Sequence, residues 1–132
     1  MLHRNSHSVS DLNYHFVFVP KYRKEVLVGG VKTRVKKEIQ RICKDHDFKI
    51  MTLDLEPDHL HLFINVDPSW SPAKIARTLK STTAREVFRN FPFLKDEEYW
   101  GDEFWSDSYY VGSAGHITSK TIKKNVNRVE EL

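Results

Sequence analysis

The chain has 132 residues, with 39% hydrophobic and 30% charged, the size and balance of one water-soluble globular domain spanning 1–132. No run of about 18 apolar residues is present, which excludes a membrane-spanning helix, and the first residues lack the apolar block of a signal peptide. The net charge is only +3 but it is segregated: residues 20–46 hold nine Lys/Arg against three acids, and residues 95–107 hold six acids against Lys95. Residues 118–128 add Lys120, Lys123, Lys124 and Arg128 with no acid, a distribution suited to a polyanion such as nucleic acid. The single cysteine, Cys43, rules out an internal disulfide and any multi-cysteine zinc site, and fits a cytoplasmic location.

In chain order, LNYHFVFVPKY (12–22) is aromatic and β-branched and stops at Pro20, which predicts a strand buried on both faces and central in its sheet. Tyr22, Arg23 and the Gly29-Gly30 pair read as loop. Val31, Val35, Ile39, Ile42 and Cys43 then recur at helical spacing to His46. FKIMTLDLE (48–56) and residues 59–66 read as two strands joined by a Pro57-Asp58 turn, an antiparallel hairpin. Ser71 is placed to cap a second helix with Pro72 at its first position, ending before Pro92. Residues 93–107 read as an acidic, aromatic loop, with Trp100 and Trp105 assigned to packing. SYYVGSAG (108–115) reads as a last strand, and a helix is expected from Thr118 or Ser119 onward. The order β-α-β-β-α-β-α predicts an α+β, ferredoxin-like split β-α-β sandwich, an antiparallel sheet with helices on one side plus a C-terminal helix.

Within PDHLHLF (57–63), strand alternation places His59, His61, Phe63 and Asn65 on one face and Leu60, Leu62, Ile64 and Val66 on the other. The second set is the core face. Both imidazoles are then expected on the open face, about 7 Å apart at Cα, where they can converge on one cation or serve as ordinary surface histidines. Imidazole suits transition metals, and Mg²⁺ or Mn²⁺ becomes suitable when phosphate and carboxylate oxygens complete the shell.

PDHLHLFINV, SPAKIARTLKSTTAREVFRNFP, WGDEFWSDSYYVGSAG and SKTIKKNV occur in this order, with YHFVFVPKYR near the start. Together they resemble the single-tyrosine HUH transposases of the smallest insertion sequences, across nearly the whole chain. The resemblance implies a homodimer that recognises hairpins in single-stranded DNA and cuts and rejoins the strand. It implies a divalent ion, Mg²⁺ or Mn²⁺, held by His59 and His61, and a tyrosine nucleophile on the last helix that leaves a 5′-phosphotyrosine. It also implies DNA contacts from Lys21, Arg23, Lys80, Arg85, Lys123 and Lys124, whose phosphate neutralisation gives salt-sensitive affinity.

This chain departs from the family at its last helix. The family pattern there is I-x-x-Tyr-I-x-x-Gln, with the glutamine as third metal ligand one turn after the tyrosine. Here Asn125 stands at the tyrosine position and Val129 at the glutamine position. An amide is not a competent nucleophile, and valine has no lone pair for a metal. Catalysis is therefore expected to be impaired, as in a degenerate or repurposed copy. The alternatives are a domesticated hairpin-binding protein without chemistry and a metal-dependent nuclease using water. Tyr109 and Tyr110 are weighed as substitute nucleophiles and assigned to packing; Glu130 or Glu131 is the substitute considered for the missing ligand.

Overall fold

A continuous run of aromatic and β-branched residues makes β3 (Leu12–Pro20) a central strand of the sheet. Phe16, Val17 and Phe18 have no exposed surface, so both of its faces are covered. The computed structural model describes residues 2–4, 9–97 and 103–114. Ahead of β3, β1 (His3–Arg4) and β2 (Val9–Ser10) pair as a small antiparallel hairpin that the sequence did not indicate. Strands of two residues carry no period to read.

After a single turn at Lys21–Arg23 come α1 (Gly29–Asp45), β4 (Lys49–Glu56), β5 (His59–Val66), α2 (Pro72–Asn90), α3 (Phe93–Glu97) and β6 (Trp105–Ser113). The sheet order is β4-β5-β3-β6 and every pairing is antiparallel. This is the split β-α-β arrangement of an α+β sandwich. The expected C-terminal helix lies outside the described residues.

The capping expected at Ser71 is present: its hydroxyl accepts from the Lys74 amide at 3.1 Å, with Pro72 in the first turn. Three boundaries differ from expectation. The Gly29-Gly30 pair opens α1 rather than preceding it, with Gly29 at φ +54°, a conformation available to glycine without strain. Residues 93–97 form the short α3, because Leu94 buries itself against the core. The last strand starts at Trp105, three residues early, because that indole is a core group (4% exposed) rather than a loop side chain.

Phe16, Phe18, Leu60, Leu62 and Ile64 from the sheet meet Val31, Val35, Ile39 and Ile42 of α1 and Ile75, Ala76, Leu79 and Val87 of α2 in one apolar cluster. Burial of these side chains is the main stabilising term. Within it sits one polar device. The Thr83 hydroxyl donates to the Leu79 carbonyl at 2.7 Å and accepts from the Trp105 indole N–H at 2.8 Å. Thr83→Val keeps the shape but strands a buried donor. It is expected to lower stability by about 1–3 kcal/mol, read as a lower urea midpoint at unchanged slope. Among the described residues no helix is long and apolar enough to cross a membrane.

Candidate metal and nucleic-acid site

β5 alternates as its sequence requires. Leu60, Leu62, Ile64 and Val66 enter the core cluster, and His59, His61, Phe63 and Asn65 take the opposite face of the sheet. The two histidine rings lie side by side, 6.2 Å between centroids and 25° between planes. That face, however, is not the open surface expected. His61 is 5% exposed, Phe63 0% and Asn65 2%. The register explains part of this closure: His15 of β3 pairs with Phe63, and the two rings stack at 3.9 Å and 7°. Val17 stands opposite His61 on one side and Asp54 of β4 on the other.

His59 is oriented from behind. Its Nδ1 lies 3.0 Å from Asp58 Oδ1, while Asp58 Oδ2 accepts from Arg23 Nε at 2.6 Å. Burial raises the Asp58 pKa, but the hydrogen bonds from His59 and Arg23 outweigh it and hold the carboxyl below its ordinary range. An ionised Asp58 can only accept, so His59 Nδ1 carries the proton and the Nε2 lone pair is left for a ligand role. This is the carboxylate–histidine pairing that fixes tautomer and ring direction in metal sites. The sequence suggested Asp58 only as a turn residue.

His61 is nearly enclosed, and burial lowers its pKa despite the opposing effect of Asp54, whose Oδ2 is 3.6 Å from Nε2. Its imidazole is thus neutral at pH 7. Its Nδ1 is buried without a hydrogen-bond partner in the described structure. Two neighbouring imidazoles, one of them with an orphaned ring nitrogen, suit a borderline divalent ion. Among the described residues, no three His, Cys, Asp or Glu side chains converge on a common cation position. The residues therefore fit a metal as a two-imidazole donor set that needs oxygen ligands from elsewhere.

A third histidine was missed. His15 is 1% exposed, within 6.1 Å of His61 and 5.8 Å of Tyr110 between ring centroids. Burial, with a smaller contribution from repulsion by His61, pushes its pKa down to about 4. Its position in NYHFVF gave no signal, since its partner Phe63 is known only from the strand register.

The candidate cations divide. Lys21 and Arg23 lie in the turn after β3; Lys21 Nζ pairs with Glu103 at 2.9 Å, and Arg23 pairs with Asp58 next to His59. Arg85 is exposed on α2. Lys80 departs from the expected phosphate contact. Its ammonium donates to the Ser106 carbonyl at 2.8 Å and approaches that of Asp107 at 3.4 Å, over the Tyr109 ring at 5.2 Å. Burial lowers its pKa accordingly. The α2 backbone brings Lys80 over β6, so its charge holds that strand instead of facing solvent. Lys123, Lys124, Asn125 and Val129, with Glu130 and Glu131, lie outside the described residues.

The two tyrosines of β6 separate by strand parity. Tyr109 packs on the core side, edge-on to Phe18 at 6.0 Å. Tyr110 lies on the histidine side against Val17 and Val19. It folds over Gly112, where any Cβ would collide with the Tyr110 hydroxyl.

Residues 8–128 match the family described as IS200-like transposases. The ISDra2 transposase TnpA of Deinococcus radiodurans is 32% identical over 118 residues, 89% of this chain and 84% of that protein. The transposase for insertion sequence element IS200 of Salmonella typhimurium is 28% identical over 126 residues, 96% of this chain and 82% of the relative. A solved structure of a provisionally assigned transposase from Deinococcus radiodurans superposes with a TM-score of 0.83 at 28% identity, covering 98% of this chain and 96% of that one. The REP-associated tyrosine transposase bound to a REP hairpin shares the fold at a TM-score of 0.52 and 14% identity, covering 99% and 74%. On a match spanning nearly all of its length, the chain belongs to the IS200-like transposase family.

Proposed function

We propose that this chain is an insertion-sequence transposase that binds hairpin-bearing single-stranded DNA as a homodimer in the cytoplasm. In this reading it retains two of the three protein ligands of a divalent-metal site and lacks its own nucleophile. The observation that carries it is the orientation of His59 by Asp58, next to the orphaned Nδ1 of His61, in a member of this family. His59 would hold Mg²⁺ or Mn²⁺ through Nε2 and His61 through a ring nitrogen. When bound, such an ion supplies Lewis-acid polarisation of a phosphate oxygen.

The chain's own residues do the rest. Asp58 keeps the His59 proton on Nδ1, and Arg23 keeps Asp58 ionised and in place. Lys21, Arg23 and Arg85 neutralise phosphates, with Lys123 and Lys124 beside Asn125 adding to the same field. Asn125 offers no nucleophile, so strand cleavage through a 5′-phosphotyrosine is impaired. This favours, as a second reading, a hairpin-binding protein without chemistry.

The test is a binding titration of hairpin-bearing single strands and of blunt duplex over a range of salt. Single strands are expected to bind more tightly, and Arg85→Ala to reduce the salt slope by roughly one. Equal affinity for duplex would overturn the reading. Calorimetric Mn²⁺ titration provides the metal arm: Asp58→Ala is expected to weaken binding roughly 10- to 100-fold, as for loss of an outer-sphere partner.

A further inference from the structure

Between β3 and α1 the backbone does something unfavourable. Tyr22 and Arg23 both have positive φ, +62° and +52°, and neither is glycine. Left-handed residues with a Cβ are disfavoured, and two in succession are rarer still. Their surroundings hold them there. The Lys21 amide donates to the Phe104 carbonyl at 2.9 Å, and the Lys21 ammonium pairs with Glu103. Arg23 is tied to Asp58. What this turn delivers is an aromatic side chain in solvent, since Tyr22 is 70% exposed. Packing does not explain the conformation, because Tyr22 belongs to neither apolar cluster.

Charge says what the ring faces. The Lys21 ammonium is 5.4 Å from the Tyr22 ring centroid, and Arg23 follows directly. An exposed aromatic ring with one cation over it and a second next in sequence matches a polyanion that carries flat, unpaired rings. Arg23, the next residue, bonds the same carboxylate that orients His59, which ties the turn carrying Tyr22 to the histidine pair.

The geometry points to Tyr22 as a stacking platform for one unpaired base of the single strand, next to the phosphate that His59 and His61 would address. Lys21 and Arg23 anchor the phosphates that flank this base. The inference rests on the single-stranded DNA reading above and adds a base-binding position to it. Stacking of this kind tolerates any base, so it fixes the strand's path rather than its sequence.

The experiment combines Tyr22→Ala, Tyr22→Phe, Tyr22→Trp and Tyr22→Gly with single-stranded oligonucleotides carrying one abasic unit at successive positions. Tyr22→Ala is expected to weaken binding roughly 5- to 150-fold, the range for losing one base stack, at an unchanged salt slope because no charge is removed. Tyr22→Phe and Tyr22→Trp should bind as the wild type does. One abasic position should weaken the wild type and have no further effect on Tyr22→Ala. Tyr22→Gly relieves the positive φ, so it should melt no lower than Tyr22→Ala while binding as weakly. A merely structural tyrosine would show the reverse, with binding following stability. If the wild type binds single strands and Tyr22→Ala binds equally well, the platform is overturned while the DNA reading stands. If the wild type binds no single strand, both fall.

Discussion

Acidification from pH 7 to pH 4 is expected to remove about 3 kcal/mol of folding stability through His15 alone. The ordinary histidine pKa is near 6.5, and burial of His15 lowers it to about 4 in the folded chain. Between these values the unfolded chain binds a proton that the folded chain refuses, so stability falls as pH falls. The loss begins as pH drops through about 6.5 and is complete near 4. His61, whose pKa is also lowered by burial, acts in the same direction. Asp58 and Asp67, held below the carboxylate range, lose their contributions only at pH values beneath that window. Urea unfolding at half-unit intervals of pH separates the two regimes. His15→Gln should flatten the curve between pH 6.5 and 4. An unchanged slope in that variant would refute the assignment.

The same histidine shows where sequence reading stops. The bounds of β5 and the parity of His59 and His61 followed from local alternation, and Ser71 with Pro72 located the start of α2, because period and capping are properties of consecutive residues. Whether a face is covered is not such a property. His15 and Phe63 close the histidine face by stacking across 48 positions of sequence, and nothing near either residue announces it. Lys80 looked like a phosphate-binding cation on an amphipathic helix. Only the packing of α2 over β6 reveals that its ammonium is bound to backbone carbonyls. Asp58 was read as turn chemistry, which it is, but its two oxygens also join Arg23 to His59. Side chains whose partners are distant in sequence are the ones that local patterns do not place.

Restoring a nucleophile is the second large effect expected. On the proposed reading, in which Asn125 occupies the nucleophile position, the wild-type chain should give no covalent adduct with a hairpin-bearing single strand. Asn125→Tyr returns a phenol at the same point of the Ile122 and Val126 pattern, so an adduct resistant to denaturing electrophoresis should appear. It should form slowly and favour Mn²⁺ over Mg²⁺, since with Val129 unchanged the protein offers only imidazole donors, and Mn²⁺ accepts these more readily. Adding Val129→Gln should raise the rate by more than about tenfold, the lower bound seen for losing even an outer-sphere partner. Val129→Gln alone should do nothing, so the two changes are non-additive, as expected of groups acting as one unit. Geometry also names the suspect if the wild type does form an adduct. Tyr109 packs on the core side, whereas Tyr110 shares the face of His61. Tyr110→Phe should then abolish the adduct and Tyr109→Phe should not. A double variant that binds hairpins yet stays inert would place the chain among binding proteins, with His59 and His61 kept for holding DNA rather than cutting it.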